Sequence, residues 1–414
     1  MKIILSHPTG NANVRSVGEA LAGADMLYAY YTTVAVFQNN LLYKMGGISP
    51  FRDFRRRSYS PILQPYTKTY SKYEMGRMIA PKIGLKGLVS KNNGIFSVDS
   101  VYRTHDKKVA SRLLAAQKKG ADGIYAYEDG AEHSFKRARE LGLKCLYDLP
   151  TGYWRAARKL LNEEIDRYPE WRNSFTGFKD SHTKLERKDH ELALADIIFV
   201  ASQFTAKTLT EFSGKLPHIK VIPYGFPPVY EGRLFEGFSR PRKLKLLFVG
   251  KLSQQKGLAD IFESIKGLDK FVELTLVGSK TNCKILDIEL AKHNYLGTKP
   301  HHEVLNIMRE HDVLLFPSLF DGFGMVISEA MSQGTPVIAS DRSAGPDLIR
   351  HGENGWLMKA GSPSSLREVI EEILAAPDKI EDIGVQAIST ARQRPWQKYN
   401  DELIEVIREI YSAK

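Results

Sequence analysis

Asp321 and Glu329 stand eight residues apart in the C-terminal half of the 414-residue chain, with Gly322, Phe323 and Gly324 between them and Met325 and Val326 next. An apolar run over residues 313–317 precedes them, and a helical pattern over 324–333 follows. That order places a carboxylate on the loop after a buried strand, then two glycines, then a second carboxylate about one and a half turns into a helix. Glycines at 322 and 324 leave backbone amides open to an anionic or hydroxyl-rich ligand at the helix N-terminus. Glu329 is costly to bury without donors. Vicinal ribose hydroxyls supply such donors, and dinucleotide-binding folds use an acid in this way. A carboxylate beside a phosphate site repels the phosphates, so these acids are expected to face hydroxyls.

Two further loops have the same character. The apolar run 244–249 ends in Gly250 and Lys251, with Lys256 and Gly257 at the start of the next helical pattern. Two cations five residues apart at a helix N-terminus suit a diphosphate, lysine acting as a compact point charge. The run 272–277 ends at Gly278, where a missing side chain permits close approach of a ligand to the backbone. Other candidates follow apolar runs of the N-terminal half. His7, Gly10 and Asn11 follow residues 2–6, Glu128, Asp129 and His133 follow residues 123–127, and Asp148 ends residues 144–148.

The elements that must position these residues alternate in two sets. Strands at 2–6, 123–127, 144–148, 196–200 and 218–222 belong to the first, with a helix at 13–22. The second has strands at 244–249, 272–277, 313–317 and 335–339, with helices at 258–265, 282–292, 303–309 and 324–333. Leu258, Ile261, Phe262 and Ile265 form one apolar stripe at helical spacing. Short buried strands alternating with amphipathic helices predict parallel sheets covered on both faces. The fold class is therefore α/β, with two Rossmann-like domains facing each other across a cleft. The N-terminal domain spans 1–225, a linker 226–243 and the second domain 244–394. A final helix, 395–414, packs back on the first domain. Ligands of open α/β sheets sit beyond the carboxyl ends of the strands, which places the site between the domains.

The length suits two domains of roughly 200 residues. With 43% apolar and 26% charged residues, wholesale disorder is excluded. No window approaches the ~18–20 apolar residues of a membrane span, and the three apolar residues 3–5 are too few for a signal peptide core. Cys145 and Cys283 lie too far apart to suggest a disulfide framework or a cysteine zinc site. A cytoplasmic protein is expected. The net charge of +11 comes from one stretch, residues 51–120, with 16 Lys/Arg against 4 Asp/Glu. Its Arg52, Arg55, Arg56, Arg57, Lys68, Lys72, Arg77, Lys82, Lys86 and Lys91 are interleaved with Tyr59, Tyr66, Tyr70 and Tyr73. Such a stretch suits an anionic membrane surface or lipid-linked substrate. A solvated face with no fixed partner is the plain alternative, and nucleic acid is not expected.

Taken together, these motifs resemble the bacterial retaining glycosyltransferases of the GT-B fold, family 4. The resemblance is specific over about residues 196–360. The family's Glu-x7-Glu signature around Gly-Phe-Gly is matched by Asp321 to Glu329, and its Gly-Arg-Leu…Lys-Gly grip by Gly250-Lys251-Leu252…Lys256-Gly257. Ile222-Pro223-Tyr224-Gly225 and Gly334-Thr335-Pro336 resemble its domain junction and the strand after its signature helix. The resemblance implies metal-independent transfer of a sugar from a nucleotide diphosphate donor, a UDP- or GDP-sugar, with retention of configuration. No cofactor or metal is implied beyond that co-substrate. The donor would be held by Gly250, Lys251, Lys256, Gly278, Asp321, Gly322, Phe323, Gly324, Met325, Val326 and Glu329. The acceptor, a lipid-linked or anionic saccharide of cell-surface polysaccharide or glycolipid assembly, would meet His7, Gly10, Asn11, Glu128 and Asp129. Asp321, Lys251 and Lys256 would act in catalysis. The family's reaction-centre histidine has no match in Leu146-Tyr147-Asp148-Leu149-Pro150, and one of Asp148, Glu128, Asp129 and His133 is expected to take its place, Asp148 and His133 being the catalytic candidates. Asp321 is one methylene shorter than the usual glutamate, which alters its reach to the sugar. The rival readings are a nucleotide-sugar epimerase or phosphorylase of the same fold, and a non-enzymatic protein that binds polyanions or membranes.

Overall fold

The computed structural model describes residues 1–38, 43, 57–91, 94–175, 180–238 and 242–412. Arg52, Arg55 and Arg56 of the basic stretch lie outside these. Among the described residues, the N-terminal domain carries β1 (Ile3–Ser6), β2 (Leu27–Thr32), β3 (Thr67–Thr69), β4 (Gly123–Tyr127), β5 (Lys144–Leu149), β6 (Ile197–Val200) and β7 (His218–Val221). They form one parallel sheet in the order β3-β2-β1-β4-β5-β6-β7. The second domain has β8 (Leu244–Val249), β9 (Val272–Val277), β10 (Asn294–Tyr295), β11 (Val313–Phe316), β12 (Val337–Ser340) and β13 (Trp356–Met358), also parallel, in the order β10-β9-β8-β11-β12-β13. Strands β1, β4, β6, β11 and β12 are buried along their whole length. This is the consequence of helices on both faces, and it explains why these strands read as continuous apolar runs.

In both sheets the strand order reverses once, between β1 and β4 and between β8 and β11. Crevices open beyond the carboxyl ends of the strands at such reversals. The loops at these ends hold His7–Asn11 and Glu128–Ala131 on one side, and Gly250–Gly257 and Pro317–Gly324 on the other.

Two segments tie the domains together. The helix Trp396–Ser412 lies on the N-terminal domain's helix Ala12–Gly23, Leu403 and Ile407 being buried in the same cluster as Val14 and Leu21. Ser16 donates to Asn400 Oδ1 at 2.6 Å across this contact. At the junction, Phe226 N donates to Arg394 O at 2.8 Å. The second tie runs the other way. After the helix Trp154–Arg167, Trp171 inserts into the core of the C-terminal domain beside Phe262, and Arg167 reaches Asp260 at 2.6 Å. Gln254 N donates to Ser174 Oγ at 2.9 Å. The sequence reading expected the first tie and passed over the second, because Trp171 pairs with residues some ninety positions away. β2, β3, β10 and β13 also lie outside the strands read from the sequence.

Candidate active site

A cavity of about 480 Å³ opens between the domains, lined by Gly250, Lys251, Lys256, Phe316, Asp321, Phe323, Gly324, Met325 and Val326 from one side. Asn11, Ala12, Asn13, Pro150 and Tyr224 face them from the N-terminal domain and the junction. Each donor-site expectation except Gly278, Gly322 and Glu329 thus reaches one space. Gly278 lies next to it, its carbonyl accepting from Tyr295 Oη at 3.0 Å while Gly250 N donates to Val277 O at 2.9 Å.

Gly324 starts the helix Met325–Ser332 at φ +84°, a left-handed conformation that a side chain would strain, and a Cβ there would strike the Phe316 ring. Turning the chain this sharply aims the first-turn amides of the helix at the cavity. Helix geometry leaves the Met325 and Val326 amides without intrahelical acceptors, Ile327 N being taken by Gly324 O at 2.9 Å, and the macrodipole adds partial positive charge. Lys256 forms an ion pair with Asp321 and also lies over the Phe316 ring. Asp321 Oδ1 accepts from Phe323 N at 3.3 Å, and Asp321 N donates to Arg342 O at 3.1 Å. The carboxylate is thereby fixed at the mouth of the turn. Glu329 lies one turn further along the helix, beyond the cavity lining, where His301 Nε2 meets its Oε1 at 3.0 Å. Burial raises its carboxyl above the usual range, and His301 pulls it partly back.

Gly322 approaches the opposite domain. Its carbonyl accepts from Ser202 Oγ at 2.5 Å and Thr205 Oγ1 at 3.0 Å, both on the N-terminal domain. Phe320, beside it, packs edge-on against Phe204. Ser202 also caps the helix Gln203–Thr208. Ser202 and Thr205 escape sequence reasoning, since their partner lies more than a hundred residues away.

A smaller cavity of about 290 Å³ shares Lys256, Asp321 and Gly322 with this region and is otherwise lined by residues such as Thr151, Trp154, Arg158, Asp180 and Lys188. The Lys256–Asp321 pair stands between the two spaces, so groups held in each would meet there. None of Trp154, Arg158 and Lys188 was singled out from the sequence, the cations being indistinguishable there from an ordinary solvated helix face.

The structure does not bring the remaining N-terminal candidates to the larger cavity, with the exception of Asn11. Asn11 lines it and caps the helix Ala12–Gly23 by accepting from Val14 N at 3.2 Å. His7 is buried, and its Nδ1 accepts from Gly10 N at 2.8 Å and Thr9 N at 3.1 Å. Burial lowers it to about 3, so it is a neutral acceptor that shapes the loop. Gly10 turns that loop, its carbonyl accepting from Arg15 Nε at 3.0 Å. His133 faces away to Asp106, which also caps its helix by accepting from His133 N at 2.7 Å and Ser134 N at 3.0 Å. Asp148 is buried behind Tyr125, whose hydroxyl donates to it at 2.7 Å, and burial raises its carboxyl to about 7. Neither His133 nor Asp148 therefore takes the catalytic place expected of it. Glu128 pairs with Lys188 at 3.0 Å and accepts from Thr151 Oγ1 at 3.0 Å, and Asp129 pairs with Lys184 at 3.0 Å. Glu128 thereby holds Lys188, which lines the smaller cavity. Glu191, unremarked in the sequence, accepts from Asp129 N, Ala131 N and Tyr147 Oη at 2.9–3.0 Å and is raised by burial to about 8. It fixes the turn after β4.

Two parallel-sheet domains facing across a cleft, with an anion-suited helix start on one lip, define the GT-B fold. Residues 234–390 match the family model of the group 1 glycosyl transferases. The uncharacterized glycosyltransferase MJ1178 of Methanocaldococcus jannaschii is 31% identical over 157 residues, 37% of this chain and 44% of the relative. The amylovoran biosynthesis glycosyltransferase AmsK of Erwinia amylovora is 29% identical over 181 residues, again 37% and 44% of the two chains. The chain thus spans a little under half the length of these curated relatives. Across its whole length the fold is similar to Anabaena Alr3699/HepE, solved in complex with UDP, at TM-score 0.62 and 17% identity, covering 99% of this chain and 100% of that one. Among the described residues, no helix is long and apolar enough to cross a membrane.

Proposed function

We propose that this protein is a glycosyltransferase that moves a sugar from a nucleoside diphosphate donor to an acceptor hydroxyl with retention of anomeric configuration. The observation that carries this reading is the convergence of Lys251, Lys256, Asp321 and the amides at the start of the helix Met325–Ser332 on one interdomain cavity. The two lysines and the amides counter the charge that develops on a departing diphosphate, a preorganised electrostatic role of the kind that dominates many enzymes. Asp321 orients the sugar from the other side of its ion pair with Lys256. Glu329, half-withdrawn with His301, accepts from the ribose hydroxyls. The bond from the anomeric carbon to the phosphate oxygen breaks while the acceptor oxygen bonds to the same face. The leaving phosphate oxygen takes the acceptor's proton, since Asp148 and His133 lie elsewhere.

The likeness to the UDP-bound HepE structure favours UDP over GDP as the nucleotide. We assign the acceptor to the smaller cavity, where Trp154 offers an aromatic face and Arg158 and Lys188 offer charge to an anionic saccharide. The relation to AmsK supports a place in polysaccharide or glycolipid assembly.

Calorimetric titration of UDP, GDP and ADP into wild type and Glu329→Ala, with EDTA present, tests the donor site. A carboxylate accepting from ribose contributes about 1.5–3 kcal/mol, so the substitution should weaken UDP binding about 10- to 100-fold. Unchanged binding in the variant would remove Glu329 from the site. No nucleotide binding to wild type would overturn the reading.

A further inference from the structure

Six of the fourteen large apolar side chains that stand exposed among the described residues fall within twenty positions of the N-terminal domain. They are Ile79, Ile83, Leu85, Leu88, Ile95 and Val98, between 36% and 63% exposed. Every residue from Lys82 to Leu88 is exposed, in the order Lys-Ile-Gly-Leu-Lys-Gly-Leu. From residue 75 to 98 there is no acidic residue, against Arg77, Lys82, Lys86 and Lys91. The segment is nevertheless built. Leu85 N donates to Ala80 O at 2.9 Å and Phe96 N to Leu88 O at 2.8 Å, which folds its turns on one another. Its base is held by Glu74, fully buried and paired with Arg57 and Arg77.

The tyrosines that the sequence offered as the apolar partners of this basic stretch do other work. Tyr59 is buried and takes a hydrogen bond from Tyr30 Oη at 3.1 Å, Tyr70 stacks on Tyr31, and Tyr73 packs edge-on to Phe96. The exposed apolar surface is aliphatic and lies further along the chain.

We propose that residues 79–91 and 94–98 form a membrane-binding surface, their aliphatic side chains entering the interface of an anionic bilayer while the basic side chains of the stretch, Lys86 foremost, meet the lipid phosphates. Large apolar side chains left exposed together in one short stretch of a folded domain mark an interaction surface. Cations in a stretch whose own sequence holds no acid select an anionic one. Lys91 meets Asp180 at 3.0 Å, and Asp180 lines the smaller cavity, so this surface borders the mouth of the cleft. A membrane-held acceptor would enter at that border. The proposal stands apart from the reading of the donor site, because vesicle binding needs no sugar nucleotide.

Flotation of the full chain with phosphatidylcholine vesicles, with and without 30% phosphatidylglycerol (~30%, a physiological anionic fraction), tests it. Binding should be at least tenfold stronger to the anionic vesicles and should weaken with salt. Lys86→Gln should reduce it about fivefold, the contribution of about one cation near the surface. Ile83→Ser with Leu85→Ser, which leaves the charge unchanged, should reduce it at least tenfold. UDP affinity equal to wild type checks that both variants are folded. Equal binding to neutral and anionic vesicles, no binding by wild type, or wild-type binding by the Ser variant would overturn the proposal. So would loss of self-association in the Ser variant without loss of vesicle binding, which would make the patch a protein interface. Vesicle binding without UDP binding would sink the donor-site reading and leave this one standing.

Discussion

Gly322→Ala isolates the role of the N-terminal domain in positioning the donor loop. A Cβ at 322 would fall 2.1 Å from Pro150 O and 2.8 Å from Thr151 Cα, both across the domain interface, where real Cβ contacts stay beyond 3.0 Å. Relief requires a separation of about 1 Å at this point. The loop itself is held on the C-terminal domain by Asp321 N to Arg342 O at 3.1 Å, so the domains must part. That movement stretches the bonds from Ser202 and Thr205 to Gly322 O. Two neutral hydrogen bonds contribute about 1 kcal/mol each, and overpacking adds about 1–3 kcal/mol. A loss near 3 kcal/mol in the closed arrangement corresponds to about 100-fold in transfer rate. Nucleotide affinity should change by less than about threefold, because the lysines and the helix start lie on one domain. The assay pairs the rate of sugar transfer with an interdomain distance from fluorescence energy transfer between labels on the two domains. A variant that transfers within threefold of wild type at an unchanged distance would refute the argument that this contact sets the reacting geometry.

Two other predictions concern buried charge. Burial raises Asp148 to about 7, so the folded protein favours its protonated form. The stability this adds is fully present below about pH 4, the unfolded value, and is lost as pH rises through 7. Asp148→Asn should flatten the pH dependence of stability between pH 5 and pH 8 by up to about 3 kcal/mol, read from urea midpoints at those two values. Parallel curves for the two proteins would discount the buried carboxyl. Arg167 is the partner of buried Asp260, whose carboxyl burial raises to about 6. Arg167→Ala should cost about 1–3 kcal/mol at pH 7, less than a fully buried pair because Arg167 is part exposed. Adding Asp260→Asn should restore most of it. Failure of that rescue in denaturant titrations would place the loss in the Trp171 strap.

The core strands of both sheets other than β2, the helix that carries Glu329 and the returning final helix were legible in the sequence. Each is a local pattern: a continuous apolar run where both sheet faces are covered, or a stripe at helical spacing such as Leu258 to Ile265. The donor loops were legible for a related reason. Glycines and charges at strand ends act through backbone turns and helix starts, which are properties of a few adjacent residues. Asp321, Lys251 and Lys256 line one cavity.

The N-terminal candidates were less legible because their meaning depends on what lies opposite. His7, His133 and Asp148 look alike in sequence as polar residues near strand ends. Burial decided their roles: His7 holds its own loop, His133 turns to Asp106, and Asp148 sits behind Tyr125. The same holds for Tyr59 and Tyr70, which are spoken for inside the domain, and for Ile83 and Leu85, which are not. By itself the sequence determined the two-domain architecture and the chemical character of the donor loops, since both follow from local periodicity and backbone freedom. Only the tertiary structure decided which side chains face the cleft, how Trp171 and Gly322 join the domains, and where apolar surface is left in water, because these depend on contacts between residues far apart in the chain.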